Sequence, residues 1–272
     1  MIKGVESSKL KIARAWEHLT ELREVARVYT DEEIHKLSLN SEGQEVVEIT
    51  RDPPPRISVL VGEIVYQVRS ALDHLTYEIV EANQTNIVLP KNWVRDCAFP
   101  LLLKTPSDKA TGQPYTPPLP YSVFEKTLPG LTPQAFKFIE ALQPYWGVGT
   151  SNLLKLVGQL SNIDKHRHLH ITIPRISVRR RSETADGFQL ASVRGGYTSG
   201  SVIEPPESNV WGGITKTETD YLPYVTFDEP TVEHGPSTME VQEILKICLE
   251  HVEDVIIPGF DDLLNNRIPG NR

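Results

Sequence analysis

Residues 62–80, GEIVYQVRSALDHLTYEIV, carry the pattern from which the fold of this chain is predicted. Apolar residues recur there at three- and four-residue steps, the spacing of a buried stripe on an amphipathic helix. This stripe consists of Ile64, Val68, Leu72, Leu75 and Ile79. A second stripe with the same steps consists of Tyr66, Arg69, Asp73 and Tyr77, with His74 beside it. Because a helix that only filled a core would not need the second stripe, it marks the candidate functional site.

This stretch lies within a predicted helix of roughly 27 residues, from about 56 to 82, which is the longest helix that the sequence predicts and which we call the spine helix. Apolar residues at helical spacing also predict helices over 7–29, 132–143, 151–168 and 237–264, with a kink or stop at Pro258-Gly259 in the last one. Ser7 or Ser8, and Thr132 before Pro133, are residue types typical of helix starts. The other helical segments are therefore predicted to pack around the spine helix.

The segments between the first helices are interpreted as irregular. Residues 31–55 are polar and end in three prolines after Asp52, which predicts a rigid spacer. Residues 83–130 form a proline-rich loop, in which 99–103 are predicted as a short packed strand.

From about residue 169 the hydrophobic period changes from helical to alternating. Runs at 170–173, 176–179, 188–193, 213–219 and 224–227 have this alternation and are separated by turn residues. We therefore predict an α+β fold, in which an α-helical bundle of about four to five helices carries an inserted antiparallel β-meander. The bundle spans 7–168 and 237–266, the insertion spans 169–230, and residues 1–272 are expected to form a single domain.

Composition limits the classes of protein that remain. The chain has 272 residues, of which 39% are hydrophobic and 24% charged, as is ordinary for a soluble globular protein. Its net charge of −8 argues against a surface wholly adapted to nucleic acid, although a local basic patch remains compatible. Cys97 and Cys248 form no metal spacing and fit a reducing compartment. With no apolar run of membrane-spanning length, we expect a cytoplasmic protein without a membrane partner.

A second polar cluster occupies residues 162–170, NIDKHRHLH. Asn162 and His166 are four residues apart, as are Asp164 and His168, so each pair shares one face of a helix. A helical bundle can place this cluster opposite the polar stripe of residues 66–77.

The same cluster opens a basic run in an otherwise acidic chain, because residues 165–181 contain no Asp or Glu. Such a run suits an anionic partner, most simply the phosphate backbone of RNA, or it is one solvated face of a strand. The candidate RNA-binding residues are Lys165, His166, Arg167, Arg179, Arg180 and Arg181.

Two motifs, VRSALDHLTYEI at 68–79 and SNIDKHRHL at 161–169, resemble those of a widespread group of uncharacterised bacterial proteins. The resemblance covers most of the helical part, but where that group often has a His-Asn pair this chain has Tyr66-Gln67. An arginine followed after four residues by a histidine, on a long helix of a bundle, also resembles the signature of the HEPN superfamily. Many HEPN members are metal-independent, RNA-cleaving toxins or defence nucleases that act as dimers.

The HEPN resemblance implies that the chain is a metal-independent endoribonuclease that acts as a homodimer without a cofactor. Arg69 would then steady the scissile phosphate, and His74 would move the proton of the attacking 2′-hydroxyl or of the leaving group. Asp73 would orient Arg69.

The residues themselves leave two other interpretations open. In the first, the chain is a non-catalytic binding or interaction module, and Arg69 and Asp73 form an ion pair within a structural polar network. The other members of that network are Tyr66 of the spine helix, and Asn162 and Asp164 of the segment 162–166. In the second, a metal ion is held by Asp164, His166, His168 and His170.

Other classes of site lose support. Lys165 and Arg167 place positive charge beside the potential metal ligands, so no metal site is predicted. The chain also has no Gly-rich phosphate loop, no dinucleotide fingerprint and no nucleophile elbow, which removes support from the common nucleotide-dependent and hydrolase classes.

Overall fold

A computed structural model describes residues 4–83, 88–147, 151–166, 172–184, 189–203, 214–228 and 239–265; at 4, 151–152, 164–166, 189–190 and 214–215 it describes the backbone alone. The chain divides into two compact units. The helical unit comprises the described residues of Met1–Thr20, Leu60–Leu169 and Ile244–Arg272, and the sheet unit those of Glu21–Val59 and His170–Glu243. That residues 1–272 form a single domain stays a prediction.

Both α-helices and antiparallel strands are present, which confirms the α+β class. The helices are α1 Gly4–Asp31, α2 Pro55–Glu81, α3 Trp93–Asp96, α4 Pro133–Ala141, α5 Ser151–His166, α6 Val241–His251 and α7 Ile257–Asn265. The strands are β1 His35–Leu39, β2 Glu45–Ile49, β3 Thr172–Thr184, β4 Gln189–Tyr197 and β5 Ile214–Phe227. Among the described residues, none of these helices is long and apolar enough to cross a membrane.

The apolar stripe of α2 forms the centre of the helical unit, as predicted. Its five residues, Ile64, Val68, Leu72, Leu75 and Ile79, are each exposed by 1% or less. α1 runs antiparallel to α2 within this unit, because Ser8 lies beside Ala71 whereas His18 lies beside Glu63. α2 is therefore the spine around which the other helices of the unit are arranged.

The prediction that Ser7 or Ser8 caps α1 is wrong. The helix already begins at Gly4, so both serines lie inside its first turns. Their hydroxyls contact α2 instead, and Ser8 Oγ donates to the carbonyl of Ala71 at 2.9 Å. The predicted cap of α4 is confirmed, because Thr132 accepts a hydrogen bond from the Ala135 amide at 3.3 Å and Pro133 occupies the first helical position.

The C-terminal helix does not stop at Pro258. A π-helical turn, Val252–Ile256, joins α6 to α7. Proline lacks the N–H that the regular helical ladder needs and its ring crowds the preceding turn, and a wider turn accommodates such an interruption without ending the helix. At the next residue, Gly259, the backbone of α7 lies directly against the ring of Phe138 of α4. A side chain does not fit there, because a Cβ would lie 2.2 Å from Phe138 Cζ.

The sheet unit contains a three-stranded antiparallel sheet in the order β4-β3-β5, with β3 in the centre. The five short predicted runs merge into three longer strands, since Pro174 and Pro223 lie within strands and do not end them. A second sheet, the hairpin β1-β2, lies within residues 31–55, where the sequence predicted no strand. Val47 of this hairpin packs in a common core with Ile176, Val178 and Ile203.

Candidate functional site

A cavity of about 360 Å³ in the helical unit is lined by residues from both sequence motifs, including Arg69 of α2 and Asn162 of α5. The two motifs therefore face each other, as a bundle allows. Three further features complete the lining: two neutral polar side chains, Thr127 and Ser161, an apolar wall, and Gly158. The main apolar wall residues are Phe99, Leu101, Leu102, Val123 and Phe124. The result is a mostly apolar chamber with a polar end.

Arg69 and Asp73 form an ion pair on the surface of α2 that faces this chamber. Arg69 Nη2 lies 3.1 Å from Asp73 Oδ1, and the two side chains are 18% and 34% exposed. The same Oδ1 accepts the backbone N–H of Phe99 at 2.8 Å. Asp73 thus joins the cationic group of the cavity to the segment that carries its apolar wall, which holds both in place.

His74 is directed elsewhere. Its Nδ1 lies 2.6 Å from Ser7 Oγ of α1, and the residue is not part of the cavity lining. Each residue advances a helix by roughly 100°, so the five steps from Arg69 to His74 separate the two side chains by roughly 140° around the axis. The described residues therefore do not bring the two predicted catalytic groups to one reaction centre within a single chain.

Tyr66 does not join the cavity either. Its side chain is 60% exposed, and the ammonium of Lys11 lies 5.6 Å from the centre of its ring, at the distance of a cation–π contact. Tyr77, at the other end of the polar stripe, stacks on Trp93 with the ring centres 5.0 Å apart. Of the predicted structural network, Asn162 alone lines the cavity with Arg69, whereas the side chain of Asp164 lies outside the described residues.

The basic run divides between described and undescribed positions. Arg167 and the side chains of Lys165 and His166 lie outside the described part of the chain. On β3, the alternation of the strand exposes Arg179 and Arg181, whereas Arg180 points to the other face and is 8% exposed.

Carboxylates of β5 lie opposite the two exposed arginines. Arg179 is paired in register with Asp220, and Arg181 with Glu218. Arg181 Nη2 also contacts Asp220 Oδ2 at 2.9 Å. The positive charge that the local sequence concentrates on β3 is therefore balanced by a strand roughly 40 residues further along the chain, which weakens the case for an anionic partner on this face.

The two cysteines are held in their protonated form. Burial, and then the Asp73 carboxylate, raise the pKa of the Cys97 thiol to about 12. Burial raises the pKa of Cys248 to about 12 as well. Since the thiolate is the reactive species, neither residue has the character of a nucleophile near neutral pH.

The alternative metal site falls on residues whose side chains are not described, namely Asp164, His166, His168 and His170. Within the described residues, no group of three or more His, Cys, Asp or Glu side chains is placed to hold a metal ion.

The apolar wall of the cavity was missed by sequence reasoning. Residues 99–103 were predicted as a strand, but they form an irregular segment of the proline-rich loop that packs against α2 and α5. Gly158 was also overlooked, although a Cβ at this position would lie 3.1 Å from Leu103 Cδ2. The available signals were an apolar run inside a polar loop and a glycine on the apolar face of a helix.

Comparison with known proteins adds no relative: no family model, no curated protein and no solved structure matches this chain. The fold by itself defines the class, which is an α+β protein with a helical unit and an antiparallel sheet unit. The HEPN resemblance stays a sequence-based expectation.

Proposed function

We propose that this chain is a non-catalytic binding module, whose helical unit holds a small molecule in the cavity between Arg69 and Asn162. The observation that carries the proposal is the cavity itself, of about 360 Å³ with an apolar wall and a few convergent polar groups. Small-molecule sites have this composition and volumes of about 300–1,000 Å³. A void of this size lined in this way is not needed to fold a helical bundle, whose interior is otherwise close-packed.

The Arg69–Asp73 pair supports a positioning role for the polar stripe. Asp73 Oδ1 forms the ion pair with Arg69 and accepts the backbone N–H of Phe99, so it holds the cation and the apolar wall in a fixed relation. A binding site requires such preorganisation, because affinity falls when side chains must be ordered on binding.

A second candidate function is RNA cleavage through Arg69 and His74, as the HEPN resemblance implies. It is favoured by the position of Arg69, which remains partly accessible at a cavity together with Asn162. It is disfavoured by the contact of His74 with Ser7 and by the divergence of the two side chains around α2. The binding module is therefore the function that the geometry supports better.

A screen of small organic molecules by ligand-observed NMR tests the binding proposal. We expect several compounds to bind the wild-type chain. Their binding should be lost in Gly158→Val, because the added side chain contacts Leu101 and Leu103 at the cavity wall. Ala13→Val introduces the same valine side chain on the exposed face of α1 and is the control. Binding that is equal in both variants, at unchanged melting temperature, would place the ligands elsewhere and refute the proposal.

RNA cleavage is tested separately, with a mixed RNA pool incubated in EDTA. We expect no cleavage by the wild type or by His74→Ala, because within one chain the histidine and the arginine point to different sides of α2. Wild-type cleavage that disappears in a His74→Ala variant with the same melting temperature would overturn this expectation and identify an endoribonuclease.

A further inference from the structure

We infer that the ligand of this cavity is a compact organic carboxylate with an apolar body; this inference rests on the proposed function. The polar end of the cavity decides which head group the ligand carries. Of the polar side chains in the lining, Arg69, Ser161 and Asn162 can donate a hydrogen bond to a ligand, and an arginine can only donate, whereas Thr127 Oγ1 already donates to the carbonyl of Phe124. No Asp, Glu or His side chain is part of the lining. The head group that fits such an end is an acceptor.

The charge of Arg69 decides the charge of that head group. Arg69 brings a full positive charge to the cavity, and a guanidinium has several N–H donors in a planar fork. Asp73 contacts it through one nitrogen, Nη2, and shares that carboxylate oxygen with the amide of Phe99. Arg69 therefore has the capacity to hold Asp73 and a ligand carboxylate together, in the geometry that makes arginine–carboxylate contacts strong.

The head group of the ligand lies where the polar end of the cavity meets the protein surface. Asn162 is exposed and Ser161, its neighbour on α5, is 8% exposed, so the polar end extends from the protein surface into the cavity. A carboxylate at this end can keep contact with water while it meets Arg69. The desolvation of the ligand's charge is then incomplete, which lowers its cost.

The remainder of the ligand packs against the apolar wall of the cavity. Phe99 and Phe124 are exposed by 1% or less, and together with Leu101 and Val123 they present an apolar surface. Burial of an aromatic ring or a medium-length alkyl chain against this wall contributes roughly 25 cal/mol per Å² of apolar surface. The cavity volume lies at the lower end of the range for ligand sites, so the body is compact.

The same features argue against a phosphate or a nucleic acid in this cavity. One guanidinium that already bears a carboxylate does not balance a phosphate dianion, and neither a lysine nor a glycine-rich loop is part of the lining. A polynucleotide would also need a track of unbalanced cations, whereas the exposed arginines of β3 face carboxylates.

Matched acids and amides test the inference. Benzoate is compared with benzamide, and octanoate with octanamide, by titration calorimetry at pH 7 and fixed salt. Because a hydrogen bond to a charged group is worth more than one to a neutral group, we expect each acid to bind at least about tenfold more tightly than its amide. Arg69→Gln is expected to abolish this preference while amide affinity changes by less than about twofold. Arg181→Gln, on the exposed face of β3, is the matched control and is expected to change neither.

The outcomes separate the two proposals. Equal or tighter binding of the amides, still lost in Gly158→Val, would refute the carboxylate preference and leave the binding module standing. No binding of any of the four probes would also refute it, and the fragment screen then decides whether the cavity binds other molecules. If Arg69→Gln does not fold, Asn162→Ala serves instead, since its side chain is exposed at the polar end and its loss is expected to weaken acid binding by about threefold while the amides are unaffected.

Discussion

Two arginine–aspartate pairs in this chain have almost the same contact distance in different surroundings. In the helical unit, Arg69 and Asp73 are 3.1 Å apart and 18% and 34% exposed. In the sheet unit, Arg181 and Asp220 are 2.9 Å apart and 59% and 39% exposed. Arg69 of the first pair lines a cavity, and the carboxylate of its partner Asp73 also accepts the backbone amide of Phe99. Because water screens exposed charges, we expect solvent exclusion and additional partners, rather than the distance between charges, to decide what each ion pair contributes.

The largest effect is expected when each arginine is truncated. Arg69→Ala should lower the free energy of unfolding by about 2 kcal/mol, between the values typical of exposed and of buried pairs, because Asp73 loses its cation where solvent access is restricted. For a chain of this size the melting temperature should fall by roughly 4–8 °C. Arg181→Ala should cost less than about 1 kcal/mol, since water and salt screen that pair. Calorimetric melting of both variants measures the difference, and equal shifts would show that the environments are energetically alike.

A smaller effect is expected on the reactivity of Cys97. Its pKa is raised to about 12 by burial and by the Asp73 carboxylate, so the thiol is almost fully protonated at pH 8 and alkylation by iodoacetamide should be slow. Removal of the negative charge in Asp73→Asn lowers that pKa, which increases the thiolate fraction and the alkylation rate. Asp220→Asn removes an exposed charge of the sheet unit and should leave the rate unchanged. The rates are measured by mass spectrometry between pH 7 and pH 10.

Cys248 provides the control for this experiment. It is buried, so its alkylation reports opening of the fold and should remain equally slow in both variants. A rate for Cys97 that does not respond to Asp73→Asn would show that the charge of Asp73 is screened in the helical unit as well.

The sequence predicted those features that depend on local periodicity. The buried stripe of α2 is confirmed residue by residue, because an amphipathic helix must bury its apolar face wherever it packs. The start of α4 at Thr132-Pro133 is confirmed because capping involves neighbouring backbone groups. The antiparallel insertion after residue 169 is confirmed in kind, although its strands are longer and fewer than predicted.

Features that depend on distant partners were not predictable in the same way. The hairpin β1-β2 was missed because its strands are only five residues long and lie in a largely polar segment, and Val47 packs in a core with residues more than a hundred positions away. A kink or a stop was expected at Pro258-Gly259, whereas the helix continues through a π turn that precedes the proline, and α7 packs against Phe138. Both cases show tertiary packing overriding a local preference.

The candidate site divides along the same line. The sequence by itself determined which polar residues stand out, since Arg69, Asp73 and Asn162 interrupt apolar helical patterns. Only the tertiary structure decided that Arg69 meets Asn162 at a cavity while His74 turns to Ser7. It also decided that the arginines of β3 face carboxylates of β5. The physical reason is that periodicity defines the face of an element on which a side chain lies, whereas the group opposite that face comes from a distant part of the chain.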